Sequence, residues 1–152
     1  MMLKVEDIMV EDVITVDSDV PVMEAVKLMN ENEIGCLVVT RRGKNVGIIT
    51  ERDLLKRIIA KLRDPTKTKV RQIMTKPLII VDPDMDLEDA TKLMFKRNIK
   101  KLPVIEGENL VGLVSLTDIA RFQPQMMKIL KRLSAQQAPP KRLQKVLGYY
   151  VV

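Results

Sequence analysis

The sequence predicts a mixed α/β (α+β) fold that contains two β-α-β-β-α repeats and a helical basic tail. The main observation is an internal duplication: a shift of 65 positions aligns residues 4–53 with residues 69–118 without a gap. Aligned positions are often identical, as for Met9 and Met74. A second observation is that short apolar runs alternate with amphipathic segments in each repeat. Because a unit of about 60 residues is marginally stable alone, the copies are expected to pack together and complete each other's core.

The first repeat begins with a short β-branched run, VITV, at residues 13–16. Asp19 and Pro21 then provide a start signal for a helix. The apolar face of this helix has residues spaced three and four apart, namely Val22, Ala25, Val26 and Met29. Such a face predicts that the helix packs against the core.

Two further apolar runs, CLVVT at 36–40 and VGIIT at 46–50, predict strands, and the RRGKN between them predicts a turn. ERDLLKRIIAKL at 51–62 predicts the amphipathic helix that closes the repeat. The second repeat predicts the same order of strand, helix, strand, strand and helix, in LIIV, DLEDATKLMFKRN, LPVIE, LVGLVS and LTDIARF. The expected boundaries are 3–62 for the first domain, 63–69 for the linker, 70–123 for the second domain and 124–152 for the tail.

The composition excludes several classes of protein. Apolar residues make up 46% of the chain and charged residues 30%, which is typical of a folded domain. The apolar runs are far shorter than the roughly 20 residues that cross a bilayer, and the acidic residues of MMLKVEDIMV do not suit a signal peptide. We therefore expect a cytoplasmic protein without a membrane partner.

The chain has one cysteine and no histidine. This excludes a Cys/His zinc site, a Ser-His-Asp triad and a Cys-His pair within the chain. Cys36 lies in a predicted buried strand, where a free cysteine behaves as a small apolar side chain.

The tail carries the net charge of +6, because it has six cationic and no acidic residues after Gln123. QMMKILKRL at 125–133 predicts an amphipathic helix, and a second basic and apolar stretch, KRLQKVLGYYVV, follows SAQQAPP. The predicted apolar side of the first stretch comprises Met126, Ile129, Leu130 and Leu133. In one interpretation this side packs on the repeats or on a dimer mate. In the other, the basic side binds nucleic acid or an acidic protein, although no recognised DNA-binding motif accompanies it.

Each repeat places an aspartate three residues after a hydroxyl residue at the end of a strand, as Thr50 with Asp53 and Ser115 with Asp118. One interpretation is a capping box, in which these side chains only satisfy backbone N–H groups. The other is that the carboxylate accepts hydrogen bonds from the 2′ and 3′ hydroxyls of a ribose, while the helix start binds a phosphate. The two roles are compatible, because the carboxylate can cap its helix until a ligand arrives.

Several paired stretches resemble tandem CBS domains (cystathionine beta-synthase domains), the arrangement called a Bateman module. They are DIM and QIM, GCLVV and KLPVI, and GIITERD and GLVSLTD, within residues 3–122. The resemblance implies a regulatory module without catalysis, metal or required cofactor, whose two repeats are related by pseudo-two-fold symmetry. It also implies a homodimer and an adenosine-containing ligand in clefts between the repeats. AMP, ADP and ATP are the expected ligands, ahead of S-adenosylmethionine and NAD.

The resemblance implies that Thr50, Asp53, Ser115 and Asp118 bind the ribose, and that each aspartate faces strands of the other repeat. The expected phosphate-binding residues, Arg52, Lys100 and Lys101, then join Asp53 in one cleft. The expected adenine contacts are Val16, Ile34, Gly35, Ile80, Val81 and Ile99.

Because two lysines in a partly desolvated cleft attract a phosphate, we expect a nucleotide to prefer the cleft of Asp53 over that of Asp118. The alternative is that the lysines form a solvated pair at the start of a strand.

A rival hypothesis is a structural dimerisation module whose basic tail binds nucleic acid or an acidic protein partner. An enzyme is the weakest of the three hypotheses, because no nucleophile–base pair or metal-ligand cluster is visible in the sequence.

Overall fold

A computed structural model describes residues 3–134 of the chain. It divides into two compact units. One comprises Val13–Ile79 and is called the Asp53 unit below; the other comprises Met1–Asp12 and Ile80–Val152 and is called the Asp118 unit. The predicted mixed fold is confirmed, since each unit combines strands with helices. The units do not coincide with the repeats of the sequence, because the opening segment of each repeat belongs to the unit of the other repeat.

The Asp53 unit contains a three-stranded sheet in the order β1-β2-β3, where β1 and β2 are parallel and β2 and β3 are antiparallel. Its elements are β1 (Thr15–Asp17), α1 (Val22–Asn32), β2 (Cys36–Arg41), β3 (Lys44–Thr50), α2 (Glu51–Leu54) and α3 (Val70–Ile73). The predicted closing helix continues from α2 as a π-helical turn, Leu55–Ile59.

Helix α1 packs its predicted apolar face into the core of this unit. Val22, Ala25 and Met29 are buried, and Val26 is half-buried. The helix ends at Glu33, which adopts the left-handed conformation with φ 52°. Cys36 is buried, as expected for a small apolar side chain.

The Asp118 unit contains a two-stranded antiparallel sheet, β4-β5. A short 3-10 helix, Val5–Asp7, begins this unit. The other elements are α4 (Leu87–Arg97), β4 (Lys101–Glu106), β5 (Asn109–Ser115), α5 (Leu116–Phe122) and α6 (Pro124–Ser134).

The strand predicted from LIIV does not form a named strand. Only Val81 pairs with β4, donating to the Pro103 carbonyl at 3.1 Å and accepting from Ile105 N–H at 3.0 Å. In the Asp53 unit, the Val38 N–H donates to the Ile14 carbonyl at 3.3 Å. Pro103 is the repeat equivalent of Val38 and has no N–H, so this hydrogen bond is lost and the parallel pairing is shorter.

The opening segments pair with the last strand of each sheet. Thr75 exchanges two backbone hydrogen bonds with Ile48, of 2.8 and 3.1 Å, and Val10 exchanges two of 2.9 Å with Leu113. The glycine beside each pair makes this approach possible. A Cβ atom on Gly47 would lie 2.8 Å from the Met74 Sδ atom and 2.9 Å from the Thr75 carbonyl oxygen.

A bulge accompanies each of these glycines. The pairing of β2 with β3 shifts register beside Gly47, and that of β4 with β5 shifts beside Gly112. An extra residue of this kind bends the strand and increases its twist.

The predicted helix of the tail is confirmed as α6. Met127 is fully buried, although the sequence interpretation did not assign it to the apolar side, and Met126 is half-buried. The second basic stretch, in residues 135–152, lies outside the described residues. Across residues 3–134, no helix combines the length and apolar character needed to span a bilayer.

Candidate functional site

The two repeated hydroxyl–aspartate pairs lie at the starts of α2 and α5, where strands β3 and β5 end. At α2 the capping interpretation is confirmed. Thr50 Oγ1 accepts from Asp53 N–H at 3.3 Å, and the Asp53 Oδ2 atom accepts from Thr50 N–H at 2.9 Å. The Thr50 hydroxyl also donates to this carboxylate oxygen at 3.2 Å.

The second carboxylate oxygen of Asp53 is also occupied. Thr75 Oγ1 donates to Asp53 Oδ1 at 2.9 Å, and the Arg57 guanidinium lies 3.7 Å from the same oxygen. Arg57 in turn donates to the carbonyls of Ile73 and Met74 at 2.8 and 3.0 Å. Only 8% of the Asp53 side chain is exposed. Asp53 therefore connects the start of α2 with the opening segment, and most of its acceptor capacity is used inside the unit.

The helix start at Asp118 has a different environment. Ser115 Oγ accepts from Asp118 N–H at 3.0 Å, but among the described residues of this unit no hydrogen bond or ion pair to the Asp118 carboxylate is found. The repeat equivalents of Thr75 and Arg57 are Val10 and Phe122, which have no side-chain donor. Asp118 is half-buried, so its carboxylate retains acceptor capacity beside the helix start.

Val10 and Phe122 are also among the most exposed large apolar residues, at 52% and 63%. Phe122 follows Asp118 by four residues on α5, a spacing that places the two side chains on one face of the helix. The surroundings of Asp118 therefore offer apolar surface next to a carboxylate.

The strand partners of the two hydroxyl residues differ as well. Lys101 pairs with Ser115 across β4 and β5, whereas Cys36 pairs with Thr50 across β2 and β3. Residues that are directly opposite share one face of a sheet. The hydroxyl residue before α5 thus has a lysine opposite it, whereas the hydroxyl residue before α2 has a buried cysteine opposite it.

Two other predicted residues lie beside these helix starts. The Leu116 N–H donates to the Lys100 carbonyl at 2.8 Å, and the Glu51 N–H donates to the Gly35 carbonyl at 3.0 Å. Within their own unit, Lys100 and Lys101 therefore adjoin the helix start of Asp118, and their predicted grouping with Asp53 stays a prediction.

The remaining predicted site residues vary in exposure. Val16 and Val81 are buried, at 5% and 3% exposure, and Ile80 is 46% exposed. Arg52 is exposed, and Ile34 and Ile99 are half-buried. Val16, Ile34 and Arg52 belong to the Asp53 unit, whereas Ile80, Val81 and Ile99 belong to the Asp118 unit. Each of the two expected clefts combines residues of both units, so the assignment of these residues to clefts stays a prediction.

Sequence reasoning missed Thr75, Arg57 and Phe122. The alignment of the two repeats contained a signal, because the residues at these positions differ in chemistry between the copies. Thr75 is aligned with a valine, and Arg57 is aligned with a phenylalanine. Among residues 3–134, no group of three or more Cys, Asp or Glu side chains is arranged to hold a metal ion.

Comparison with known proteins gives matches over both repeats. The family model described as "CBS domain" matches residues 5–60 and 70–124. The CBS domain-containing protein YhcV of Bacillus subtilis (strain 168) is 38% identical over 119 residues, covering 78% of this chain and 84% of that protein.

Solved structures show the same architecture. The CBS domain pair of protein MJ0100, in complex with 5-methylthioadenosine and S-adenosyl-L-methionine, has a TM-score of 0.72 and 31% identity, and the match covers 80% of this chain and 96% of that one. A hexameric CBS-CP12 protein from bloom-forming cyanobacteria has a TM-score of 0.75 and 29% identity, covering 99% of this chain and 95% of that one.

Proposed function

Because this chain belongs to the CBS-domain family and carries two CBS domains in tandem, we propose that it is a non-catalytic sensor of an adenosine-containing ligand. The ligand is AMP, ADP or ATP in our proposal, with S-adenosylmethionine, 5-methylthioadenosine and NAD as competitors. The complex of MJ0100 with two adenosine derivatives supports this class of ligand.

The observation that carries the proposal is the difference between the two repeated carboxylates. A ribose offers two neighbouring hydroxyl donors, and a carboxylate with free lone pairs accepts both in charge-assisted hydrogen bonds. Asp118 has this capacity, whereas Asp53 already accepts from Thr50 and Thr75. We therefore assign the ribose to Asp118 and Ser115 first, which reverses the order expected from the sequence. Thr50 and Asp53 bind a second ribose only after the hydrogen bond from Thr75 opens.

Charge near Asp118 favours a phosphorylated ligand. Lys101 shares a sheet face with Ser115, and the backbone of Lys100 is hydrogen-bonded to the first residue of α5. An ammonium group close to the ribose site attracts a phosphate more strongly than at an open surface, because the local dielectric is lower. Val10 and Phe122 supply apolar contacts for the sugar or the base.

Ligand binding is expected to raise the melting temperature. A ligand at 100 times its dissociation constant stabilises a protein by about 2.7 kcal/mol, which for a chain of this size corresponds to roughly 5–10 °C. Thermal unfolding with AMP, ADP, ATP, S-adenosylmethionine, 5-methylthioadenosine and NAD measures this shift, with CMP and UMP as controls for the base. The absence of a shift with every adenosine derivative would refute the proposal.

Asp118→Ala is expected to remove this thermal shift while leaving the melting temperature of the ligand-free protein within a few degrees of the parent. The carboxylate is half-buried and has no internal partner among the described residues of its unit, so its loss costs little stability. Calorimetric titration of Asp118→Ala and of Thr75→Val, which leaves the Asp118 site intact, tests the assignment. Full binding by Asp118→Ala would contradict it.

Lys101→Ala is expected to weaken binding of AMP and ATP roughly tenfold, because about 1.4 kcal/mol of charge attraction is lost. Binding of 5-methylthioadenosine, which has no phosphate, should be unchanged. Titration of both ligands at two salt concentrations measures the difference, and equal losses for the two ligands would remove Lys101 from the phosphate site.

We further propose that ligand occupancy is passed on through a homodimer or a protein partner. A ligand changes this output only if it binds one arrangement of the protein more tightly than another. The hexameric state of the CBS-CP12 protein supports self-association as a property of related chains.

A further inference from the structure

The turn between β2 and β3, called the basic turn below, comprises residues 41–44 and has three cationic side chains at an exposed tip. Arg41 ends β2 and Lys44 begins β3, and the two residues pair directly across the hairpin. Arg42 lies between them in the sequence, and all three side chains are exposed. Within residues 3–134, the ion pairs that form do not involve any of these three cations.

The residues of the basic turn are unfavourable for the conformation that the turn adopts. Arg42 and Gly43 have φ of 51° and 76°, which makes the connection a type I′ turn. Such a turn favours asparagine, aspartate or glycine at its first central position, because a larger side chain crowds the backbone in the left-handed conformation. Arg41 and Lys44 add the repulsion of like charges that lie directly opposite each other. The sequence therefore retains two local energetic costs at one turn.

The second repeat shows that the hairpin forms without these cations. Its corresponding turn lies between β4 and β5, where Glu106 pairs with Asn109. Gly107 has φ 64° at the position equivalent to Arg42, and Glu108 follows it. A turn with glycine in the left-handed position and no cation thus connects the equivalent strands. Local costs that the fold does not require are typical of functional residues, so the cations of the basic turn indicate a partner outside the unit.

The charge of the surrounding unit favours a large anion as this partner. Residues 13–79 contain thirteen cationic and eight acidic residues, which gives a net charge of +5. In the other unit, residues 3–12 and 80–134 contain ten cationic and twelve acidic residues. The field of an excess of positive charge raises the local concentration of a polyanion and speeds its association. The basic turn therefore lies on the unit that attracts polyanions.

The side chains of the basic turn suit phosphates better than an acidic protein segment. Residues 41–44 include no apolar side chain, whereas protein interfaces depend on buried apolar or aromatic anchors. Nucleic-acid interfaces depend instead on contacts of arginine and lysine with phosphate oxygens. The turn is also accessible, since a Cβ atom on Gly43 would have no neighbouring atom within 4 Å. We propose that the basic turn binds the phosphate backbone of a nucleic acid.

This site is separate from the hydroxyl–aspartate pair of the same unit. Strand β3 runs from Lys44 to Thr50, which is about 20 Å at the rise of an extended strand. Variants of the basic turn therefore leave Thr50 and Asp53 in place. Because phosphate contacts carry no base information, binding at the turn is expected to be independent of nucleic-acid sequence.

Fluorescence anisotropy of a labelled DNA duplex, titrated with the full chain, tests the proposal. The double variant Arg42→Gly/Lys44→Gln removes two cations of the basic turn, and its affinity at low salt is expected to fall by about tenfold or more. The slope of log affinity against log salt concentration should decrease by about 2. The matched control Lys56→Gln/Lys61→Gln removes the same charge at exposed positions of the unit outside the turn, and should keep the parent slope.

Thermal unfolding separates this role from a structural one. Because glycine relieves the left-handed strain at position 42, Arg42→Gly is expected to melt at or above the temperature of the parent while it binds the duplex more weakly. An unchanged salt slope in the basic-turn variant would overturn the proposal, and so would an equal loss of affinity in the matched control. Parent affinity for polyglutamate that equals its affinity for DNA, and is lost in the basic-turn variant, would assign the turn to an acidic protein instead.

Discussion

Gly47→Val is expected to lower the free energy of unfolding by about 3 kcal/mol and the melting temperature by roughly 10 °C. A Cβ atom at this position would lie 2.9 Å from the Thr75 carbonyl oxygen, which is backbone and has little freedom to move. That oxygen accepts from Ile48 N–H at 3.1 Å, and Thr75 N–H donates back at 2.8 Å. The added side chain would therefore break two backbone hydrogen bonds, each contributing about 1 kcal/mol, besides overpacking Met74.

The control for this variant is Gly107→Asn, measured in the same urea or thermal unfolding experiment. Gly107 has φ 64° and no neighbouring atom within 4 Å of an added Cβ. Asparagine tolerates this left-handed conformation, so a change below about 1 kcal/mol is expected. If Gly47→Val and Gly107→Asn were equally stable, the close approach of the opening segment to β3 would be refuted.

Asp53→Ala is expected to cost about 2–3 kcal/mol of unfolding free energy. The substitution removes a capping box, which contributes about 1 kcal/mol, and leaves the Thr75 hydroxyl and the Thr50 N–H without their acceptor. It also removes the carboxylate next to Arg57, which then holds the opening segment only through the Ile73 and Met74 carbonyls.

Asp118→Ala is the matched control for Asp53→Ala, since the two residues are repeat equivalents. Its expected cost is below about 1 kcal/mol, because the hydrogen bond from its backbone N–H to Ser115 persists in the variant. Urea unfolding of both variants measures the difference. Equal destabilisation by the two substitutions would show that the internal hydrogen bonds of Asp53 contribute nothing to stability.

The repeated elements of the fold could be predicted from the sequence, because a strand or helix is specified locally by periodicity and turn residues. The helix α1, its buried face at Val22, Ala25 and Met29, and the tail helix α6 all follow from such patterns. The missing strand at LIIV follows from Pro103, a single residue on a neighbouring strand. The effect of this proline depends on which segment pairs with its strand, and the local sequence pattern does not give that pairing.

For the candidate site, the sequence predicted that each aspartate lies at a helix start and is paired with a hydroxyl residue. The difference in their environments was not predicted, because it arises from residues distant in sequence. Thr75 is 22 positions from Asp53, and only the fold brings its hydroxyl to the carboxylate. The alignment of the repeats nevertheless contained the information, since Val10 and Phe122 replace both donors in the other unit.

The opening segment of each repeat completes the compact unit formed mainly by the other repeat. A gene that lost either copy by recombination would therefore encode neither unit in full. The remaining repeat would keep its own opening segment, whose partner strand is gone, and would lack the opening segment that pairs with its own last strand. Each copy therefore depends on the other for the segment that pairs with its last strand, whether or not either copy binds a ligand.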